Sequence, residues 1–191
     1  MYRILITLVL TLFLGKGLSI HDSEPTKYVA AYPEELPGTF TGGFGEDTCH
    51  SCHFDYPLNP DEGSLSLEEI PEKYEPGKLY TFSIELSREK LGQAGFQLSS
   101  RFKNGDQAGS FEANSERLQF TGTENTIQYL QHSLKGSKLN NQSSHRWQVT
   151  WKAPLTNQGS IIFNIAANAG NGDASAFGDF IFAEEIIIDA K

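Results

Sequence analysis

From about residue 71 the chain alternates between apolar and polar positions. Tyr80, Phe82, Ile84 and Leu86 form one run, Phe96, Leu98, Ser100 and Phe102 a second, and Trp147, Val149 and Trp151 a third. A period of two sends such side chains to one face of a strand, which marks a sheet buried on one side. Further strands are expected over 117–121, 126–133, 160–166 and 180–189. Turn-forming clusters separate them at Pro76-Gly77, Asn104-Gly105-Asp106, Asn140-Asn141, Thr156 to Gly159 and Asn168 to Asp173. About seven short strands at this spacing predict an all-β antiparallel sandwich, and no long run of period 3.6 competes with it. The aromatic residues Tyr80, Phe82, Phe96, Phe102, Trp147, Trp151, Phe163, Phe180 and Phe182 are then its core.

The N-terminal third reads differently. Residues 1–19 carry Arg3, an apolar run from Ile4 to Leu14 and small residues at Gly17 and Ser19, the pattern of a secretory signal. That run is too short to span a bilayer core of about 30 Å, so no stable membrane insertion is expected once the signal is removed. Residues 20–63 are rich in proline and glycine and predict an irregular segment with at most one helical turn. The sandwich is expected over 64–191.

Composition narrows the function classes. The chain is 38% hydrophobic and 20% charged, too apolar to be disordered. Its formal charge of −9, two units lower without Arg3 and Lys16, repels nucleic acid, and no Lys/Arg cluster offsets it. The expected location is outside the cytoplasm, secreted or periplasmic.

Both cysteines lie in Cys49-His50-Ser51-Cys52-His53. Four chemistries use such spacing. A structural disulfide here closes a tiny loop and constrains the unfolded chain little. A thioredoxin-like dithiol wants a βαβ setting, which the strand pattern does not supply. Structural zinc wants four ligands, and only one cysteine corner is present. Covalent haem c needs two thiols matched to the two vinyl groups and an adjacent imidazole for iron, and Cys49, Cys52 and His53 supply all three. Haem is the favoured expectation, with His53 as proximal ligand and an unnamed redox protein as partner. The only methionine is Met1, so the distal ligand comes from His21, His50, His132, His145, a lysine or an open site. His50 lies in the haem-bearing loop and His21 near the terminus, which leaves His132 and His145.

The sequence also resembles a family, the bacterial secreted choice-of-anchor V domain, whose body is similar to the Reeler domain. The resemblance rests on Thr41-Gly42-Gly43-Phe44-Gly45-Glu46 ahead of the cysteines, Tyr74-Glu75-Pro76-Gly77, Ala94-Gly95-Phe96-Gln97-Leu98, Tyr129-Leu130-Gln131-His132, Trp151-Lys152-Ala153-Pro154, and Asn168 to Asp173 with Gly178-Asp179. It implies an immunoglobulin-like sandwich preceded by a haem-motif segment, and it raises His132 above His145 as a ligand to iron. No hydrophobic anchor follows Lys191, so the chain is expected to be released, periplasmic or held by a cell-surface partner.

The leading expectation is therefore a c-type haem protein for electron transfer or haem-based sensing. Its rival is an extracellular adhesion or binding module in which the cysteines form a disulfide or a metal corner. No nucleophile elbow and no His-Glu-x-x-His motif is present, so no enzyme activity is expected. Asn168 to Asp173 with Asp179 offer oxygens to calcium, but a strand connection explains them without an ion. Asn141-Gln142-Ser143 is a glycosylation sequon that matters only in a eukaryotic secretory route.

Overall fold

The structure, a computed structural model, describes residues 39–121, 126–139 and 143–191. The expected signal at 1–19, His21, and Asn141 and Gln142 of the sequon lie outside the described residues. Ten strands follow in chain order: β1 (Ser64–Glu68), β2 (Lys73–Tyr74), β3 (Leu79–Ser87), β4 (Gln93–Phe102), β5 (Ser110–Glu112), β6 (Leu118–Phe120), β7 (Leu130–His132), β8 (Ser144–Lys152), β9 (Ile161–Gly170) and β10 (Phe180–Ala190). They form a sandwich of two sheets, one in the order β1-β3-β8-β5 and one in the order β2-β10-β9-β4-β7-β6. Pairing is antiparallel except between β10 and the two-residue β2.

The expected period-two faces meet in the core. Phe82, Ile84, Leu86, Trp147, Val149 and Trp151 of one sheet face Phe96, Leu98, Phe163, Ile165 and Phe182 of the other, all nearly or fully buried. The Trp151 ring stands edge-on to Phe163 at 5.1 Å and to Tyr74 at 6.3 Å, and its indole N–H donates to the Ala108 carbonyl at 3.1 Å. Large interlocked rings such as these account for most of the apolar area a sandwich of this size removes from water.

One expectation is corrected here. Alternation predicts that the second face of each strand meets solvent, yet every residue of β4 from Ala94 to Phe102 is buried. The inward positions are Ala94, Phe96, Leu98, Ser100 and Phe102. The outward ones are Gly95, Gln97, Ser99 and Arg101. What covers these small and polar side chains is the irregular segment that precedes β1.

Candidate functional site

The covering arm begins as a tight loop. Thr41 and Thr48 form an antiparallel bridge, and the chain between them reverses through Gly42 at φ 78°, Phe44 at 55° and Gly45 at 81°. Non-glycine residues rarely adopt such angles, which explains the glycines that flank Phe44. Gly43 is required for a different reason: a Cβ there falls 2.1 Å from Asn164 Oδ1 on β9, so only a bare backbone lies this close to the sheet.

A charged cluster pins the loop. Glu46, whose side chain is 10% exposed, pairs with Arg101, which is 6% exposed. The Arg101 guanidinium also donates to the Tyr129 hydroxyl at 2.9 Å and lies over the Phe44 ring at 4.8 Å. The Thr41 and Tyr129 hydroxyls donate to the Glu46 carboxylate, and the Phe40 N–H donates to Gln97 Oε1 at 2.6 Å. Burial first, and then the bond to Glu46, push the Tyr129 phenol well above its ordinary value.

The cysteines follow on a single 3-10 turn, Cys49–Ser51. The Thr48 hydroxyl caps it by accepting from the His50 N–H at 3.2 Å, and the Cys49 carbonyl accepts from the N–H groups of Cys52 at 3.3 Å and His53 at 3.1 Å. Both cysteines are thiols. Burial pushes the Cys49 thiol up to about 12, and the neighbouring Cys52 adds to the shift, so Cys49 stays protonated while Cys52 is exposed.

His53 is anchored to the sheet. Its Nδ1 lies 2.7 Å from Asp179 Oδ2 and donates to it. Asp179, 4% exposed just ahead of β10, also accepts from Asn168 Nδ2 at 3.2 Å and from the Asn171 N–H at 3.0 Å. Beyond His53 the arm runs along β10. Asp55 accepts from the Gly178 N–H at 2.8 Å, Tyr56 stacks on Phe180 at 3.9 Å, and the Asn59 side chain bonds both main-chain groups of Ala183.

His132 reaches the same outer face from β7. Its ring occupies the space a side chain at Gly95 would fill, since a Cβ there falls 2.6 Å from His132 Cε1, and its Nδ1 accepts from the Phe96 N–H at 3.0 Å. Gly95 is paired in register with Asn168, whose amide lies 3.3 Å from His53 Nδ1. One rung of the sheet thus has His132 at one end and His53 at the other. Burial lowers the His132 pKa, and the Phe96 carbonyl, 3.1 Å from Nδ1, opposes it.

The other candidate histidines lie elsewhere. His50 Nε2 bonds the Tyr56 carbonyl at 2.8 Å, within the arm. His145 is a core residue at 3% exposure, edge-on to Trp147 at 4.4 Å, with Nε2 2.8 Å from the Gly136 carbonyl. In the loop after β9, Asn171 Oδ1 accepts from the Asp173 N–H and Asp173 Oδ1 from the Ser175 N–H.

The fold and the arm together match a known family. The Reeler domain profile covers residues 48–170, and the chain belongs to that family. Among solved structures, the human F-spondin reeler domain (fragment 1) is 21% identical, covering 72% of this chain and 96% of that one with a TM-score of 0.48. The Reelin-N domain of F-spondin is 20% identical, covering 74% and 96% with a TM-score of 0.49. The sixth cohesin of Acetivibrio cellulolyticus scaffoldin B is 11% identical, covering 63% and 96% with a TM-score of 0.37. No curated protein matches the chain.

The electron-transfer expectation is corrected by these findings. The family match assigns the body to the Reeler domain, and no group of three or more His, Cys, Asp or Glu side chains among the described residues is placed to hold a metal ion. The residues themselves fit covalent haem poorly. Attachment uses both Cys49 and Cys52 as reacting thiols, whereas burial pushes the half-buried Cys49 thiol up to about 12. His132 turns Nδ1 to the Phe96 backbone and packs its ring edge onto Gly95. Sequence reasoning named Cys49, Cys52, His53 and His132 but missed Arg101 as the residue that holds the arm. The alternation of β4 was its only signal: a long cation stands in a strand whose neighbours are small.

Proposed function

We propose that the protein is an extracellular recognition module of the Reeler class and of the choice-of-anchor V kind. In this reading it is exported without a stable membrane span, works at or near a cell surface, does not catalyse a reaction and does not bind nucleic acid. The carrying observation is that the family match runs from Thr48 to Gly170, so that it takes in the cysteine turn as well as strands β1 to β9. No helix among the described residues is long and apolar enough to cross a membrane.

The cysteine pair then acts as a staple. On export, exposed Cys52 is the thiol that meets a disulfide-bearing oxidant. A mixed disulfide forms on Cys52 with loss of one thiol from the oxidant; Cys49 then loses its proton, the slow step given its raised pKa, and its thiolate displaces the second thiol to close Cys49–Cys52, two electrons and two protons passing to the oxidant. The closed turn keeps His53 aimed at Asp179 and the arm on its sheet. The test uses the exported full chain. Recovered from outside the cell, it should resist a maleimide label until reduced and then take two labels, and a fluorescent copy should bind intact producer cells saturably. A chain retained in the cytoplasm, with two reactive thiols and no saturable surface binding, overturns the reading.

A further inference from the structure

The first sheet is open along part of one strand. Strand β8 pairs with β3 over all nine residues, Leu79 with Lys152 through Ser87 with Ser144, but on its other side β5 pairs only with Thr150, Trp151 and Lys152. No other described strand pairs with 144–149. An unpaired strand edge is a row of main-chain donors and acceptors waiting for another strand. This one is held rigidly from behind, because Trp147 Nε1 donates to the Gly136 carbonyl at 2.8 Å and His145 Nε2 lies at the same distance from that oxygen. Rigidity lowers the ordering cost of binding.

Over β8 is a cleft of about 540 Å³ whose lining includes Glu69, Ser83 of β3, Arg117, His145, Arg146 and Gln148, two cations against one acid. Its charge is opposite to that of the chain, which carries −9 overall. Arg117 is half-buried and bonded through its guanidinium to neutral His145 at 2.6 Å, and it has no acidic partner among the described residues. Arg146 has only a loose exposed contact, 3.9 Å from Glu85. A partly buried cation without a counter-ion is costly, and an incoming carboxylate relieves that cost.

We propose that the 144–149 edge of β8 is a docking edge for an extended peptide strand that carries carboxylate side chains. Its main chain adds to the sheet beside β8, and its acids meet Arg117 and Arg146. A second copy of this chain is the poorer occupant. Two such edges pairing antiparallel in the register centred on Arg146 bring the two Arg146 side chains opposite each other, which is repulsive. The proposal deepens the recognition reading by naming the partner's chemistry, and its test does not depend on where the chain is found.

The exported full chain is titrated with fluorescein-labelled eight-residue peptides. One alternates valine and glutamate, one alternates valine and lysine, and one repeats the glutamate sequence with alternate backbone nitrogens methylated along one edge. The glutamate peptide should bind at least tenfold more tightly than the lysine peptide, and methylation should cost at least tenfold. Arg146→Glu, an exposed change that leaves the core intact, should invert the preference between acidic and basic peptides, and Arg117→Gln should weaken the glutamate peptide severalfold. Equal binding of both charges overturns the proposal. Indifference to methylation overturns it too, because contact is then by charge alone, as does sedimentation showing that the edge is closed by a second copy.

Discussion

On its inner face the six-stranded sheet carries Phe96, Leu98, Phe163 and Ile165, while the outward positions of the same strands carry Gly95, Gln97, Ser99, Arg101, Asn164 and Asn168. Both faces are shielded from water, the inner one by the opposite sheet and the outer one by the arm from Thr39 to Pro60. The chemistry of the two burials is opposite. Inside, apolar contact does the work and scales with area. Outside, the gain comes from hydrogen bonds and from the Glu46 and Arg101 pair, whose attraction is largely offset by the cost of desolvating two charges. The buried side-chain atoms without a hydrogen-bond partner, Arg101 Nε, Asn164 Oδ1 and Asn168 Oδ1, all belong to outward positions. The outer layer is thus specific in geometry and modest in strength, which suits an arm that holds one register on the sheet.

The sharpest way to break this contrast is to cut into the inner face. Trp151→Ala removes an indole that touches Tyr74, Tyr80 and Phe163, and it should lower the unfolding free energy by about 3 to 5 kcal/mol. Urea unfolding followed by far-UV circular dichroism should show the whole transition move. A loss below about 1 kcal/mol would mean that the two sheets do not share one cooperative core.

Arg101→Ala comes next. It leaves Glu46 buried without its cation, a cost of about 2 to 3 kcal/mol for a charged hydrogen bond left unmade. The arm escapes part of that cost by lifting off, so the expected sign is local: faster proteolysis between residues 39 and 60 with little change in the global transition. Arg101→Met combined with Glu46→Leu should restore most of the protection, since neither charge then has to be desolvated. Global unfolding in step with the arm would show that the outer layer is part of the core after all.

How far the sequence announced this arrangement depends on the same contrast. Tyr80 to Leu86 and Trp147 to Trp151 were readable because one face meets water and the other does not. Strand β1 alternates as cleanly, through Leu65 and Leu67, but it is five residues long beside a proline-rich stretch and was passed over. Strands β2 and β5 exist only through their partners β10 and β8 and leave no local signal. The arm's site was half legible. Cys49, Cys52 and His53 stand out by spacing, whereas the approach of His53 to Asp179 spans 126 positions and follows from register alone. The electron-transfer expectation was corrected by the family match, because spacing reports which side chains are available and says nothing of the body that carries them.

A finer test asks whether backbone closeness sets the arm's register. Gly43→Ala places a methyl 2.1 Å from Asn164 Oδ1 and 2.7 Å from its Cβ, and it should cost about 1 to 3 kcal/mol of arm docking. Adding Asn164→Ala should recover only part of the loss, because the Cβ that remains lies 2.7 Å from the added methyl. Recovery separates a steric fault from the φ effects that would accompany substitution at Gly42 or Gly45.

The smallest effect is the response to acid, in which one histidine reports each face. His145 lies in the core and His132 beneath the outer surface, and burial lowers both pKa values below the ordinary 6.5. For His145, burial is joined by repulsion from Arg117 and His132. A lowered folded pKa means that the unfolded chain binds the proton first. Stability is therefore full above pH 6.5 and falls as the pH drops through and below that value. Urea midpoints measured from pH 7.5 down to 5 should decline, and His145→Gln should remove part of the slope from the global transition. His132→Gln should remove it chiefly from protease protection of the arm and of β7, because His132 packs on Gly95 and bonds Phe96 at the sheet's outer side. If both substitutions flatten the same global curve equally, the two faces titrate as one unit, and the distinction between a cooperative core and a separately held arm is lost.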